Sequence, residues 1–222
     1  MHTTILKTVM KSLSNSDHFM SIKLFLSVIV IIALSACGGT DAPTLSKLPD
    51  DAVILAFGDS LTHGNGAKEN ESYTAVLAGL ISRKVINAGI SGEESEPGLK
   101  RLPSLLEKHS PQMLILCHGG NDLLRKKNIN KMEANIRNMI QLAKDRNIPV
   151  VMLGVPKPGL FLSSFEVYKK IADSTDIIFI EDVIPEVLGD NALKSDTVHP
   201  NKEGYRVMAE TINEVLRESG AL

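Results

Sequence analysis

This chain of 222 residues has few cysteines, a small net charge and no long apolar run. Only two cysteines occur, Cys37 and Cys117, which excludes a disulfide framework and a cysteine-rich metal site. The formal net charge is −2 and there is no basic stripe, so a nucleic-acid partner is not indicated. The apolar run Leu24–Leu34 is too short and wrongly flanked for a good transmembrane helix. Internal repeats and low-complexity tracts are also absent from the sequence.

The N-terminal segment has the composition of a secretory signal. From Met20 it has a short basic start at Lys23, then the apolar run, then small residues. Its end, Leu34–Cys37, resembles the lipobox of bacterial lipoproteins, in which the cysteine is lipidated and becomes the first mature residue. An ordinary cleaved signal and a short anchor are the alternatives. Because no Asp follows Cys37, the resemblance favours a lipid anchor in the outer membrane of the bacterial cell envelope, with the domain facing the periplasm.

These features divide the chain into three predicted parts. Residues 1–36 form the signal peptide, residues 37–50 a lipid-anchored linker, and residues 51–222 a folded domain large enough to bury a core. The residues before Met20 are polar and fit a signal badly, so we hypothesise that translation starts at Met20. Cys117 has apolar neighbours and is expected to be a buried strand thiol.

Apolar runs alternate with amphipathic segments through the domain. The strand candidates are 53–57, 84–87, 113–117, 150–155 and 177–180, and the helix candidates are 72–81, 98–108, 131–146, 163–173 and 202–219. This alternation predicts an α/β fold with a parallel sheet covered by helices on both faces. Right-handed crossovers reduce the topologies to a flavodoxin-like sheet of about five strands, with ligands at the carboxyl ends of the strands.

A serine follows the first strand candidate at a turn. Gly58-Asp59-Ser60-Leu61 comes directly after the apolar run 52–57, so the Ser60 hydroxyl can stand at the rim of a sheet. Gly-Asp-Ser is also common in turns, so the tetrapeptide alone is weak evidence. Asp59 is expected to brace the loop by hydrogen bonds. An acyl-transfer serine further needs a base, a carboxylate to hold the base, and donors for the oxyanion.

Later segments offer each of these groups. His199 is the candidate base, and Asp196 can hold one of its ring nitrogens so that the other faces Ser60. The predicted oxyanion hole combines the backbone N–H groups of Ser60 and Gly89 with the side-chain amide of Asn121. Gly89 has no Cβ, so its backbone can approach a substrate closely.

These segments resemble those of the SGNH (GDSL) hydrolase family. Ser60, Gly89, Asn121 and His199 match the four residues that name the family, in the expected order and spacing. The blocks ILAFGDSLTHG, VINAGISGE, HGGND and DTVHPN are similar to its bacterial thioesterase, lysophospholipase and arylesterase branch. The resemblance covers residues 52–209 and implies a three-layer α/β/α fold, a Ser-His-Asp triad, no metal and no cofactor. The G-x-S-x-G elbow of α/β-hydrolases is absent around Ser60.

Two features leave the substrate preference open. Cys117-His118 stands where relatives usually carry other residues, and His118 could line the pocket or act as a rival base, although it lacks a nearby upstream acid. The loop 156–162 carries three consecutive apolar side chains, which include Leu160 and Phe161. These side chains either cap the core or form an acyl-binding wall beside the serine, as the resemblance also implies.

The sequence therefore predicts a serine esterase that acts on carboxylic esters, with thioesters and lysophospholipids as further candidate substrates. One alternative is an O-acetylesterase that trims carbohydrate or cell-wall acetyl groups. Another is a non-catalytic lipoprotein that uses the fold for binding. The expected partners are a small-molecule or lipid ester and a membrane reached through Cys37, without nucleic acid, and the expected state is a monomer.

Overall fold

Five parallel strands form a sheet in the computed structural model, which describes residues 44–157, 159 and 163–222. The strands are β1 (Val53–Gly58), β2 (Lys84–Gly89), β3 (Met113–Cys117), β4 (Val150–Leu153) and β5 (Ile178–Ile180). Their order across the sheet is β2-β1-β3-β4-β5, and every neighbouring pair is parallel. This is the flavodoxin-like order, so the predicted α/β fold and strand number are confirmed.

Helices cover both faces of this sheet. Within the described residues they are α1 (Ser60–His63), α2 (Tyr73–Ile81), α3 (Ser95–His109), α4 (Gly120–Leu124), α5 (Ile129–Lys144), α6 (Glu166–Thr175), α7 (Val183–Gly189) and α8 (Lys202–Glu218), with a 3-10 turn at Glu69–Glu71. Helix α2 packs against α8, and α3 packs against α5. Because right-handed crossovers leave β1 toward β2 and return toward β3 on opposite faces, these two pairs form the outer layers of a three-layer α/β/α fold.

The predicted helices are present, and local hydrogen bonds explain why two of them start earlier than predicted. Helix α3 begins at Ser95 rather than at residue 98, because the Asp122 carboxylate accepts from both the N–H and the hydroxyl of Ser95, at 2.8 and 2.7 Å. Helix α5 begins at Ile129 rather than at residue 131, because Asn128 caps it by accepting from the Lys131 N–H at 3.0 Å. The short helices α1, α4 and α7 were not predicted.

Residues 44–49 are part of the folded domain. The Leu45 N–H donates to the Ser219 carbonyl at 2.8 Å, the Leu48 N–H donates to the Ala221 carbonyl at 2.9 Å, and the Leu48 side chain is buried in the core. The domain therefore starts before residue 51, the predicted start. The segment was read as a linker because it contains Pro and Ser, but its two leucines, Leu45 and Leu48, pack on the core. No helix among the described residues is long and apolar enough to cross a membrane.

Candidate active site

Ser60 stands at the carboxyl end of β1, as the sequence predicts. It is the first residue of α1, and the preceding Asp59 caps this helix by accepting from the Leu61 N–H at 3.2 Å. The Asp59 side chain is buried, and this burial raises the pKa of its carboxyl, against the lowering effects of the Leu61 N–H and the Asn121 side-chain amide. Asp59 therefore braces the turn that presents the serine, as expected from its position.

Ser60, His199 and Asp196 form a continuous chain of hydrogen bonds. His199 Nε2 lies 3.0 Å from Ser60 Oγ, and His199 Nδ1 lies 2.7 Å from Asp196 Oδ2. Because an ionised carboxylate only accepts, Nδ1 carries the ring proton and Nε2 accepts from the serine hydroxyl. The structure thus brings together the serine, the base and the acid that were predicted from the sequence.

Asp196 is fixed by the backbone of the residues that follow it. Its Oδ1 accepts from the Val198 N–H at 2.8 Å and from the His199 N–H at 2.9 Å. Burial would raise the pKa of Asp196, but the His199 ring and these two N–H groups outweigh it and hold the pKa below its ordinary value. The carboxylate therefore stays ionised at neutral pH and holds the imidazole in one orientation.

Asn121 faces the same cleft from the start of α4, the short helix after β3. Its Nδ2 donates to the Glu93 carbonyl at 3.1 Å, which uses one of the two amide hydrogens. The residue is 8% exposed and lines the cleft beside Ser60. Its other N–H lies on the Asp59 side of the cleft, where it helps to lower the pKa of Asp59, and it can turn to an oxygen bound near the serine. The Ser60 N–H also has no hydrogen-bond partner among the described residues.

The structure contradicts the predicted oxyanion role of Gly89. Its N–H donates to Asn87 Oδ1 at 2.9 Å, and a Cβ at this position would overlap the backbone of Thr62 and His63. This glycine is thus required for the close packing of α1 on β2 and does not face the cleft. Three residues further on, Gly92 has a φ of 75° within the Ile90–Glu93 turn, and its N–H has no partner in the described part of the chain.

His118 is a second correction, because its side chain is fully buried and does not line the cleft. Its Nδ1 accepts from the Gly119 N–H at 2.9 Å, so Nε2 carries the proton and donates to Glu93 Oε2 at 3.2 Å. Both ring nitrogens are occupied, which excludes the rival-base role. Sequence reasoning found no acid near His118 because Glu93 lies 25 residues earlier, in the loop after β2.

The cleft beside Ser60 opens to solvent, and about 420 Å³ of empty space lies at it, part of which is that solvent. Asp59, Gly120 and Asn121 supply its polar side. Apolar side chains form the rest of the wall: Leu61, Leu124, Val155, Pro156, Leu188 and Val198. Leu160 and Phe161, the predicted acyl-binding residues, lie outside the described residues. Among the described residues, no cluster of His, Cys, Asp and Glu side chains could hold a metal ion.

Cys117 is buried at the end of β3, as predicted from its apolar neighbours. Burial raises the pKa of its thiol well above the ordinary value, so the thiol remains protonated and unreactive at neutral pH. Asp122 has a structural role, because both of its carboxylate oxygens bind Ser95 at the start of α3.

The fold and the Ser-His-Asp arrangement together define the class of serine hydrolases that have a three-layer α/β/α domain. The chain belongs to the GDSL-like lipase/acylhydrolase family, whose model matches residues 56–207. It is 29% identical over 173 residues to thioesterase 1/protease 1/lysophospholipase L1 of Escherichia coli K12, covering 74% of this chain and 83% of the relative. It is 32% identical over 179 residues to an arylesterase of Vibrio mimicus, covering 73% and 87%.

The same fold occurs in solved structures. The esterase EstA of Pseudoalteromonas sp. superposes with a TM-score of 0.68 at 24% identity, covering 76% of this chain and 98% of EstA. Family membership and the named relatives establish that the chain is a carboxylic ester hydrolase of the serine esterase type.

Proposed function

We propose that Ser60 is the nucleophile of this esterase, His199 its general base and Asp196 the residue that orients the base. The observation that carries the proposal is the chain of hydrogen bonds from Ser60 Oγ through His199 to Asp196, with distances of 3.0 and 2.7 Å. His199 Nε2 takes the serine proton while Oγ attacks the ester carbonyl carbon. His199 then gives that proton to the leaving oxygen or sulfur as its bond to carbon breaks, and water repeats the sequence on the acyl-enzyme.

The negative charge that develops on the carbonyl oxygen needs donors on the cleft side of Ser60. We assign this role to the Ser60 N–H and to the second hydrogen of Asn121 Nδ2. The Gly92 N–H is the third donor in this proposal. It replaces Gly89 because it is unpartnered in the described residues and belongs to the residue before Glu93, whose carbonyl holds the Asn121 amide.

The cleft supports esters with an apolar acyl group as substrates. Six of the ten described residues that line it carry apolar side chains, and Asp59, the one acidic residue among the ten, lies on the serine side. A carbohydrate would instead require several polar contacts. Thioesters and lysophospholipids fit the same chemistry. The leaving group is a thiol sulfur in a thioester and a glycerol oxygen in a lysophospholipid, and His199 can protonate either. The names of the Escherichia coli relative include both activities.

The test combines active-site labelling with a series of substrates. A fluorophosphonate probe should label the full chain at Ser60, as located by peptide mass spectrometry, and Ser60→Ala should lose both labelling and hydrolysis. Ser174→Ala, on α6 and bonded only to backbone carbonyls and Arg137, is the matched control and should keep both. Activity that rises with chain length from nitrophenyl acetate to octanoate supports the apolar substrates. Activity on acetate alone would favour an O-acetylesterase, and an unlabelled chain would favour a binding protein.

We further propose that Cys37 carries a lipid and holds the domain at the outer membrane, facing the periplasm. Support for the anchor comes from the Leu34–Cys37 pattern, which resembles a lipobox. Residues 44–49 pack beside Gln112, Pro149 and Ile177, at the amino ends of the strands, whereas the cleft lies at the carboxyl ends. Six residues between Cys37 and Thr44 reach at most about 25 Å. The cleft of an anchored domain would thus face away from its own membrane.

Fractionation tests the anchor. Cys37→Ser should move the protein from the membrane fraction to the soluble periplasmic fraction while leaving its kcat on a water-soluble ester unchanged. A variant that stays in the membrane fraction would contradict the lipid anchor without affecting the proposal for Ser60.

A further inference from the structure

Arg101, on helix α3, makes hydrogen bonds to both strand ends beneath the proposed oxyanion hole. Its Nη2 donates to the Gly58 carbonyl of β1 at 3.2 Å and to the Ala88 carbonyl of β2 at 2.8 Å. Its guanidinium also lies over the Phe57 ring, with Cζ 4.1 Å from the ring centroid. With a side chain that is 20% exposed, Arg101 is held between the two strands and not at the surface.

The same guanidinium binds the carboxylate of Glu93. Arg101 Nε donates to Glu93 Oε1 at 2.7 Å, and Nη2 donates to Oε2 at 2.6 Å, which is a bidentate pair. His118 Nε2 donates to the same carboxylate from the other side. Burial would raise the pKa of Glu93, but the bonds from His118 and Arg101 outweigh it and lower the pKa, so the carboxylate is charged at neutral pH.

Each group that Arg101 contacts leads directly to a proposed oxyanion donor. Gly58 is two residues before Ser60, and Ala88 is the penultimate residue of the strand that runs into the Ile90–Glu93 turn with Gly92. The Glu93 backbone carbonyl accepts from the Asn121 amide. Arg101 therefore joins the segments of Ser60 and Gly92 directly, and it reaches the segment of Asn121 through Glu93.

We propose that Arg101, paired with Glu93, is a positioning residue that sets the relative placement of the oxyanion donors. This inference rests on the proposed function of Ser60. Oxyanion donors act only when they are fixed at the place where charge develops, and a misplacement of 1 Å can cost about 100-fold in rate. The planar guanidinium donates from two separate nitrogens in a fixed fork, whereas a lysine ammonium donates from a single point, so lysine is a partial substitute.

Arg83 provides a matched control. It is also a poorly exposed arginine that clamps backbone carbonyls, donating to Pro49 at 2.9 Å, to Ile81 at 3.1 Å and to Leu48 at 3.1 Å. These residues lie at the amino end of the sheet, away from the cleft. Arg83→Gln should therefore lower the melting temperature as Arg101→Gln does, without affecting the donors.

The experiment compares Arg101→Gln, Arg101→Lys, Arg83→Gln and Ser60→Ala in the full chain, with nitrophenyl butyrate as substrate and a trifluoromethyl ketone as tetrahedral probe. For Arg101→Gln we expect kcat to fall about 100-fold with KM nearly unchanged, since the lost interaction acts on the transition state. The affinity for the ketone should fall in parallel. Arg101→Lys should lose about 10-fold, and it also serves as the readout if Arg101→Gln does not fold.

Three outcomes would overturn the inference. The first is that Arg101→Gln and Arg83→Gln have the same kcat when the two are compared at equal folded fraction. If Arg101→Gln does not fold, Arg101→Lys takes its place in this comparison. The second is a raised KM with unchanged kcat, which would place Arg101 in substrate binding. The third is unchanged ketone affinity. If Ser60→Ala hydrolyses the ester as fast as the wild type, the proposed function fails and the inference fails with it; a dead Ser60→Ala beside a fully active Arg101→Gln rejects the inference alone.

Discussion

Removing the Asn121 amide should slow acyl transfer with little effect on substrate binding. Asn121 Nδ2 has two hydrogens, and the Glu93 carbonyl takes one of them, at 3.1 Å. The other lies on the Asp59 side of the cleft and is the proposed donor to the oxyanion, so Asn121→Ala removes one of three proposed donors. Loss of a single donor typically costs about 100- to 1,000-fold in kcat, equivalent to about 2.7–4 kcal/mol of transition-state stabilisation.

The same substitution also has a structural cost, which must be separated from the chemical one. Asn121 is 8% exposed, and its removal leaves the Glu93 carbonyl without this partner. An unsatisfied buried polar group costs about 1–3 kcal/mol, and each kcal/mol lowers the melting temperature of a domain this size by about 2–4 °C. Most molecules remain folded at 25 °C after such a loss, so the rate effect can be measured directly.

The assay is steady-state hydrolysis of nitrophenyl butyrate at pH 8, with kcat and KM determined separately and the melting temperature recorded. Asn135→Ala is the matched control. It removes a 3.0 Å hydrogen bond from Asn135 Nδ2 to Ser95 Oγ, and Asn135 does not line the cleft. Asn121→Asp keeps the shape but supplies only acceptors, so it should be at least as slow as the alanine variant. A folded Asn121→Ala whose kcat falls by less than about 10-fold would refute the oxyanion role.

Three other substitutions test separate parts of the structure. Asp196→Asn should lower kcat by about 100- to 10,000-fold, because the carboxamide no longer holds the His199 tautomer; the range is wide because solvent reaches a side chain that is 53% exposed. Leu188→Ala should widen the cleft and raise the ratio of octanoate to acetate kcat/KM by about 10-fold, which a competition assay measures. Glu93→Gln should cost about 3 kcal/mol of stability at pH 7, since it leaves Arg101 unpaired. Because the folded-state pKa of Glu93 lies below its ordinary 4.5, the carboxylate stabilises the fold above that pH, and urea unfolding should show the wild-type advantage shrinking as the pH falls below 4.5.

The fold could be predicted because its signals are local. The apolar runs of β1 and β3 are almost entirely buried, and helix α5, between β3 and β4, repeats apolar residues at helical spacing, so these elements are visible in the sequence. The helices that were missed have four, five and seven residues. Such helices are too short to show a periodic pattern of apolar residues. They form where the chain leaves a strand, and contacts with the rest of the domain stabilise them.

The candidate site divides in the same way. The structure brings the predicted Ser60, Asp196 and His199 together, because each follows or precedes an element whose end faces the same edge of the sheet. The role predicted for Gly89 was wrong, because the direction of a backbone N–H depends on the geometry of the turn. Here the Gly89 N–H donates to the Asn87 side chain and is not available to a substrate. The sequence pattern around Gly89 and Gly92 contains two glycines in one loop, and only the hydrogen bonds distinguish them.

The unusual His118 is understood only together with a residue on another element. A Cβ at Gly98 would overlap His118 Nε2, so the imidazole occupies space that exists because α3 carries glycine at that position. In this space His118 donates to Glu93 without adding charge, since Nδ1 accepts from the Gly119 N–H and the ring is neutral with one proton on Nε2. The buried Glu93–Arg101 pair therefore remains balanced, with one negative and one positive group. An acid at position 118 would add a second negative charge beside Glu93, with only one guanidinium to neutralise both, and an aliphatic side chain would leave Glu93 one hydrogen bond short. His118 thus completes the support beneath the oxyanion donors without entering the cleft, and a substitution there should change activity only through the Glu93 loop.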